Sequence, residues 1–154
     1  MNDAPFNKLL SALEISRIKI VIGSFISVGL VEALSDYLIY IQVILPMLPE
    51  VQAVPVFWWL VLFSPLIAVC IVIGGLSKSV KGIVPLAISA SISMHLYNQI
   101  AAILNLPGHA KSWAYEAPLK FWSIGLGLQA MFCFLLMLIG YAIVTYYVHR
   151  KVST

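Results

Sequence analysis

The chain has 154 residues, 62% of them hydrophobic and only 10% charged, with a formal net charge of +3. A soluble domain carries about 25% charged residues, so this composition excludes an ordinary soluble globule and leaves one compact membrane domain as the reading that fits the length. No basic stripe with interleaved aromatics is present, which argues against a nucleic-acid partner.

Residues 1–17 form a cytoplasmic amphipathic segment, in which 3–17 read as a short amphipathic helix lying on the inner membrane face. Asp3 suits its N-cap and Pro5 its first turn. Phe6, Leu9, Leu10 and Leu13 recur at helical spacing while Lys8, Glu14 and Arg17 point elsewhere, the pattern of a helix in the headgroup plane. The apolar stretch 18–45 follows. It exceeds the roughly 20 residues that span hydrocarbon as a helix, so it is expected to tilt or project outward. It is too long for a cleavable signal peptide, lacks a small-residue cleavage site, and reads as a signal anchor. Gly23 and Ser27 form a small-xxx-small pair suited to close helix approach.

A proline-rich loop, 46–55, leads to a second span at 56–76, where Ser64-Pro65 is expected to kink the helix by removing a backbone hydrogen bond. The third span, 83–104, is the least oily and carries Ser89, Ser91, Ser93, His95, Asn98 and Gln99 among several alanines. Small residues permit close approach and polar ones bond across helix contacts, so this helix is expected to be central. The fourth span, 119–148, has Gly125, Gly127, Gln129 and Gly140, a second candidate packing face, and 149–154 form a tail. Cys70 and Cys133 fall inside spans and read as small core residues. The expected fold class is all-α: a polytopic membrane protein with a four-transmembrane-helix bundle and a short N-terminal amphipathic interfacial helix.

Orientation follows from the cations. Lys8, Arg17, Lys19, Lys78, Lys81, Arg150 and Lys151 flank one side, whereas only Lys111 and Lys120 lie on the other. The positive-inside bias puts both termini and the 77–82 connection in the cytoplasm, with a bacterial inner membrane as the expected location. Trp58, Trp59, Trp113, Tyr115 and Trp122 would form the outer aromatic belt, and Tyr146 and Tyr147 the inner one.

A shift of 63 residues lays the second hairpin on the first: Glu32 falls on His95, Ser35 on Asn98, Asp36 on Gln99, Pro55 on Pro118 and Trp59 on Trp122. The spacing i, i+3, i+4 puts each polar triplet on one helix face. A duplication of this kind would carry a pseudo-axis along the membrane normal. By depth, Glu32 should share a midplane layer with His95, and Asp36 should share one with Gln99 and Gln129 about one turn outward.

An ionised acid at the centre of a lone spanning helix costs roughly 2.5–3.5 kcal/mol on insertion scales, so Glu32 and Asp36 need a use or a partner. Low dielectric disfavours the charged form of a carboxyl group, and a second carboxylate nearby couples the two titrations. Glu32, Asp36 and His95, with Asn98, Gln99 and Gln129 to orient a ligand, have the chemistry of a proton relay, a cation site or a polar-substrate site. A plain interhelical latch is the alternative, although such bonds average only about 0.6 kcal/mol. No His-x-x-x-His or Glu-x-x-His pattern points to a metal, and no phosphate loop, haem-attachment or dinucleotide motif points to a cofactor. No residue is singled out as catalytic, and a membrane enzyme acting on lipid or quinone ranks behind the other readings. The leading expectation is proton- or cation-linked transport of a small solute, by a homo-oligomer or with a membrane-protein partner. The alternative is a non-catalytic accessory or assembly subunit of a larger membrane complex.

Overall fold

The computed structural model describes residues 17–47, 56–77, 79–107 and 124–152. The amphipathic segment before Arg17, the side chains of Trp58 and Trp59, the loop residues His109, Lys111, Trp113, Tyr115 and Glu116, and Trp122 lie outside what is described. Among the described residues there is no strand. Helix α1 runs over Arg17–Ser35, continues as a π-helical segment over Asp36–Ile44 and finishes with a turn at Leu45–Met47. Helix α2 is Val56–Gly75, α3 is Val80–Ile103 and α4 is Leu126–Val152. Among the described residues, three stretches are long and apolar enough to cross a membrane: Ile18–Met47, Val80–Ile103 and Leu126–Arg150. Within α2, Leu60–Gly75 forms a shorter apolar helix. Pro65 sits inside α2 without ending it, and the neighbouring Ser64 hydroxyl turns back to the Val61 carbonyl at 2.8 Å.

The ends of α3 show why it starts and stops where it does. Ser79 is extended (φ −161°, ψ 155°) and its hydroxyl accepts from the Gly82 N–H at 3.2 Å, satisfying one of the orphan donors of the first turn. At the other end Asn105 takes a left-handed conformation, φ 57°. The Leu106 N–H then reaches the Ala101 carbonyl at 2.9 Å and the Asn105 N–H reaches that of Ala102 at 3.2 Å, a Schellman stop. Asparagine tolerates that conformation, whereas a β-branched residue does not. Asn105→Val should therefore destabilise the protein by about 1–2 kcal/mol, read as a lower unfolding midpoint in detergent, while Asn105→Gly should not.

Packing inverts the order of a soluble protein. Ser24, Ser35, Asp36, Ser89, Ser91, Ser93 and His95 are buried, while Ile18, Ile22, Ile26, Leu30 and Leu34 stand exposed along one side of α1. Leu128, Leu135, Ile139 and Ile143 do the same on α4. Apolar surface turned outward and hydroxyls turned inward are compatible with an integral membrane protein, whose helices are joined by close contacts and hydrogen bonds rather than by exclusion of oil from water.

The hydroxyls bond across helices. Ser89 donates to the Val21 carbonyl at 2.9 Å, Ser93 to that of Phe25 at 2.6 Å and Ser24 to that of Leu86 at 3.2 Å. From Ser89 to Ser93 to Asn98 the partner moves from Val21 to Phe25 to Glu32, so α1 and α3 run parallel. From the opposite face of α3, Ser91 donates to the Leu126 carbonyl of α4 at 2.8 Å. At 100° per residue, positions 91 and 93 lie on nearly opposite sides of a helix, which is how α3 serves two neighbours at once.

Helices α2 and α4 approach more closely still. A Cβ on Gly74 would strike the backbone of Met137, and one on Gly140 would strike the Ile71 carbonyl. The small pair Gly23/Ser27 has a different fate from the one expected. Nothing lies within 4 Å of a Cβ at Gly23, and the Ser27 hydroxyl bonds back to the Gly23 carbonyl at 2.6 Å. The close approach of α1 is made one face over, at Ser24 and at Gly29, which lies against Ser93. In α4, Gly140 packs but Gly127 faces open space.

The principal contacts are α1 with α2, α1 with α3, α2 with α4 and α3 with α4. Each helix therefore neighbours its counterpart under the 63-residue shift. The serine ladder between α1 and α3 and the glycine contact between α2 and α4 are what draw the counterparts together.

Candidate functional site

Glu32 is in the last turn of α1 and Asp36 is the first residue of the π-helical segment, so both project from the same side one turn apart. Wider i→i+5 turns of this kind recur where a helix must re-aim a functional side chain. Asp36 is 9% exposed and its Oδ2 accepts from the Tyr97 hydroxyl at 2.6 Å. Glu32 Oε1 accepts from Asn98 Nδ2 at 3.0 Å. The same amide nitrogen also donates to the Met94 carbonyl at 2.9 Å, so both its hydrogens are used and the amide is held in place.

The second oxygen of Glu32 differs from the first. Glu32 Oε2 is buried and has no hydrogen-bond partner, alone in this respect among the described side-chain nitrogen and oxygen atoms. Buried polar atoms are nearly always satisfied, so an orphan of this kind calls for a specific explanation.

His95 is 1% exposed, and its Nδ1 lies 2.5 Å from Gln129 Oε1 of α4. An amide oxygen only accepts, so Nδ1 carries the proton in this pair. Gly125 leaves room for the ring: a Cβ there would come within 3.0 Å of His95 Cε1. Gln99 is half-buried and makes no side-chain hydrogen bond among the described residues.

Four of the six candidates pair among themselves, Glu32 with Asn98 and His95 with Gln129, while Asp36 bonds outside the set to Tyr97. The reason lies in the two faces of α3. Ser89, Ser93 and Tyr97 follow one another down the side that meets α1, while Ser91 and His95 lie on the side that meets α4. Counting depth along a helix does not tell which of its neighbours a residue faces. Tyr97 joins the cluster through its bond to Asp36, although it is not among the six sequence candidates. Its signal was present, a phenol set between His95 and Asn98 in the most polar part of an apolar stretch, but an aromatic ring there also reads as core.

Cys70 and Cys133 are both fully buried, unbridged and part of one apolar core with Val28, Leu66 and Met94. Cys133 Sγ sits 3.8 Å from Met94 Sδ. Among the described residues no three His, Cys, Asp or Glu side chains gather in a way that would hold a metal ion. The arrangement offers two carboxyl groups one turn apart, one oxygen without a donor, and a phenol and an amide that can hold either carboxyl in place. Comparison with known families, curated proteins and solved structures finds no match for this chain.

Proposed function

We propose that this chain is a small integral membrane protein of the bacterial inner membrane, a bundle of four spans with both termini cytoplasmic. In this reading α2 spans the membrane as well and the segment before Arg17 is an interfacial helix. Its work is to couple protonation of Glu32 and Asp36 to movement of a proton, a cation or a small polar solute. The observation that carries the reading is the Glu32 Oε2 atom, buried without a donor beside a second carboxyl group. A purely structural latch would satisfy both oxygens, because a half-satisfied buried network is worse than none. An oxygen left vacant can take up a proton or ligate a cation and give it up again. Tyr97 and Asn98 hold the two carboxyls, His95 and Gln129 form the adjoining pair on α4, and Gln99 supplies a further polar group. Four helices enclose little volume, which favours a homo-oligomer.

The test is flux in liposomes. Purified protein reconstituted with an internal pH-sensitive dye should collapse an imposed pH gradient, and Glu32→Gln should reduce the rate to that of empty liposomes. Asp36→Asn should slow it, and Tyr97→Phe less so. If Glu32→Gln and Asp36→Asn together leave the flux unchanged, the proposal fails. The same vacant oxygen also suits a second reading, in which it receives a basic side chain from another membrane protein and the chain is an accessory or assembly subunit. That reading predicts stoichiometric co-purification of the partner, lost in Glu32→Gln, and no flux by the chain alone.

A further inference from the structure

We infer that Cys70, Cys133 and Met94 form a binding site for one soft monovalent cation, Cu(I) or Ag(I), where α2, α3 and α4 meet. The three sulfur atoms come from three different helices and belong to one apolar core. Cys133 Sγ lies 3.8 Å from Met94 Sδ. The Cys70 and Cys133 thiols are hydrogen-bond partners, so Cys133 meets both of the other sulfurs. Both cysteines are 0% exposed and Met94 is 4% exposed. The backbone explains the meeting. Cys70 and Cys133 are counterparts under the 63-residue shift. One turn farther along each helix, Gly74 lies against the backbone of Met137. That contact brings the two short side chains one turn back within reach of each other.

The donor set selects the ion. Thiolate and thioether sulfurs are soft ligands and favour Cu(I) over ions that prefer oxygen. Zinc closes its structural sites with four ligands drawn from Cys, His and carboxylates, and among the described residues no three such groups gather. The spacing fits a three-coordinate ion. Metal–sulfur bonds of about 2.3 Å set 120° apart place two sulfurs about 4.0 Å from each other, close to the separation of Cys133 and Met94. Such an ion sits among the sulfurs themselves and needs no cavity beyond them.

Charge balances as well. One thiol gives up its proton to water as the ion binds, and the other thiol and the thioether bind as neutral donors. A thiolate with a monovalent cation is neutral overall, which avoids the cost of a net charge in apolar surroundings. The Asn98 amide donates both to Glu32 and to the Met94 carbonyl. The sulfur site therefore adjoins the carboxyl cluster but shares no side chain with it, and the inference does not depend on the proposed flux.

Competition for Cu(I) tests it on the full-length protein in detergent under argon. The ion is supplied as its complex with a chromophoric chelator, and the colour lost reports what the protein takes. The wild type should take one Cu(I) per chain, with three sulfur neighbours in its X-ray absorption spectrum. Cys70→Ala and Cys133→Ala should each weaken binding at least roughly 10-fold, the loss seen when even a supporting residue of a metal ligand is changed. Met94→Leu conserves volume and keeps both thiols, so it stays informative if a cysteine variant does not fold. It should weaken binding by a similar factor and leave two sulfur neighbours. Failure of the wild type to draw Cu(I) from the chelator, fewer than three sulfur neighbours in the wild type, or binding by Met94→Leu as tight as wild type would overturn the inference. The readout is binding and not flux, so failure here leaves the Glu32 proposal standing, and failure of the flux assay leaves this site standing.

Discussion

Gly140→Leu is expected to be the most damaging single substitution in the bundle, lowering stability by about 3 kcal/mol or more, the upper end for overpacking a filled core. At Gly140 the first side-chain carbon would already meet the Ile71 carbonyl and come within 3.1 Å of the Gly75 nitrogen. Those are backbone atoms, and a backbone cannot rotate out of the way as a side chain can. Helices α2 and α4 must separate along the contact, and with them goes the burial of Cys70, Cys133 and Met137. Gly140→Ala should show a smaller loss of the same kind. Gly23→Ala is the control, because nothing lies within 4 Å of a Cβ there. That change should be neutral or stabilise by up to about 1 kcal/mol through helix propensity alone. Thermal unfolding in detergent, followed by loss of the monodisperse peak on size-exclusion chromatography, separates the cases. Equal behaviour of Gly140→Ala and Gly23→Ala would show that the α2–α4 contact is not as close as described.

The second large effect is expected from Asn98→Leu, and its size should depend on what occupies position 32. With Asn98 gone, Glu32 Oε1 loses the amide that donates to it at 3.0 Å, and the neighbouring Oε2 already has no donor. The carboxyl group is then buried with neither oxygen satisfied, and each lost donor costs about 1–3 kcal/mol. Removing the acid as well, in Glu32→Leu/Asn98→Leu, replaces the stranded pair by apolar side chains, a change often neutral or stabilising at buried sites. The double variant should therefore be more stable than Asn98→Leu alone, although it carries more changes and should lose all flux. A double variant no more stable than the single one would mean that Asn98 acts through its bond to the Met94 carbonyl and not through Glu32. Together the two measurements separate stability from activity at one position.

Much of this protein was legible in its residues alone. The apolar stretches, their lengths and the polar character of the Ser89–Gln99 region follow from hydropathy and from the helical period, because a backbone in hydrocarbon must satisfy its own hydrogen bonds. The six polar candidates were legible for the same reason, since a charge or an amide in an apolar stretch stands out against its neighbours. The residues nearest to them were not. Tyr97 is as apolar by composition as it is polar by its hydroxyl, and only the approach of Asp36 to 2.6 Å decides which half matters. Periodicity likewise could not say that Gly74 and Gly140 would be used while Gly23 and Gly127 would not, because a glycine has no side chain to mark its face.

The sequence by itself determined the helices and their apolar surfaces, since these depend on each residue and its neighbours along one helix. Tertiary structure alone decided the partners. Two helices present several faces to each other, and the energy difference between faces lies in a few close contacts and hydroxyl bonds that form only when the backbones have already met. The pairing of Glu32 with Asn98 and the burial of Oε2 without a donor are consequences of that choice.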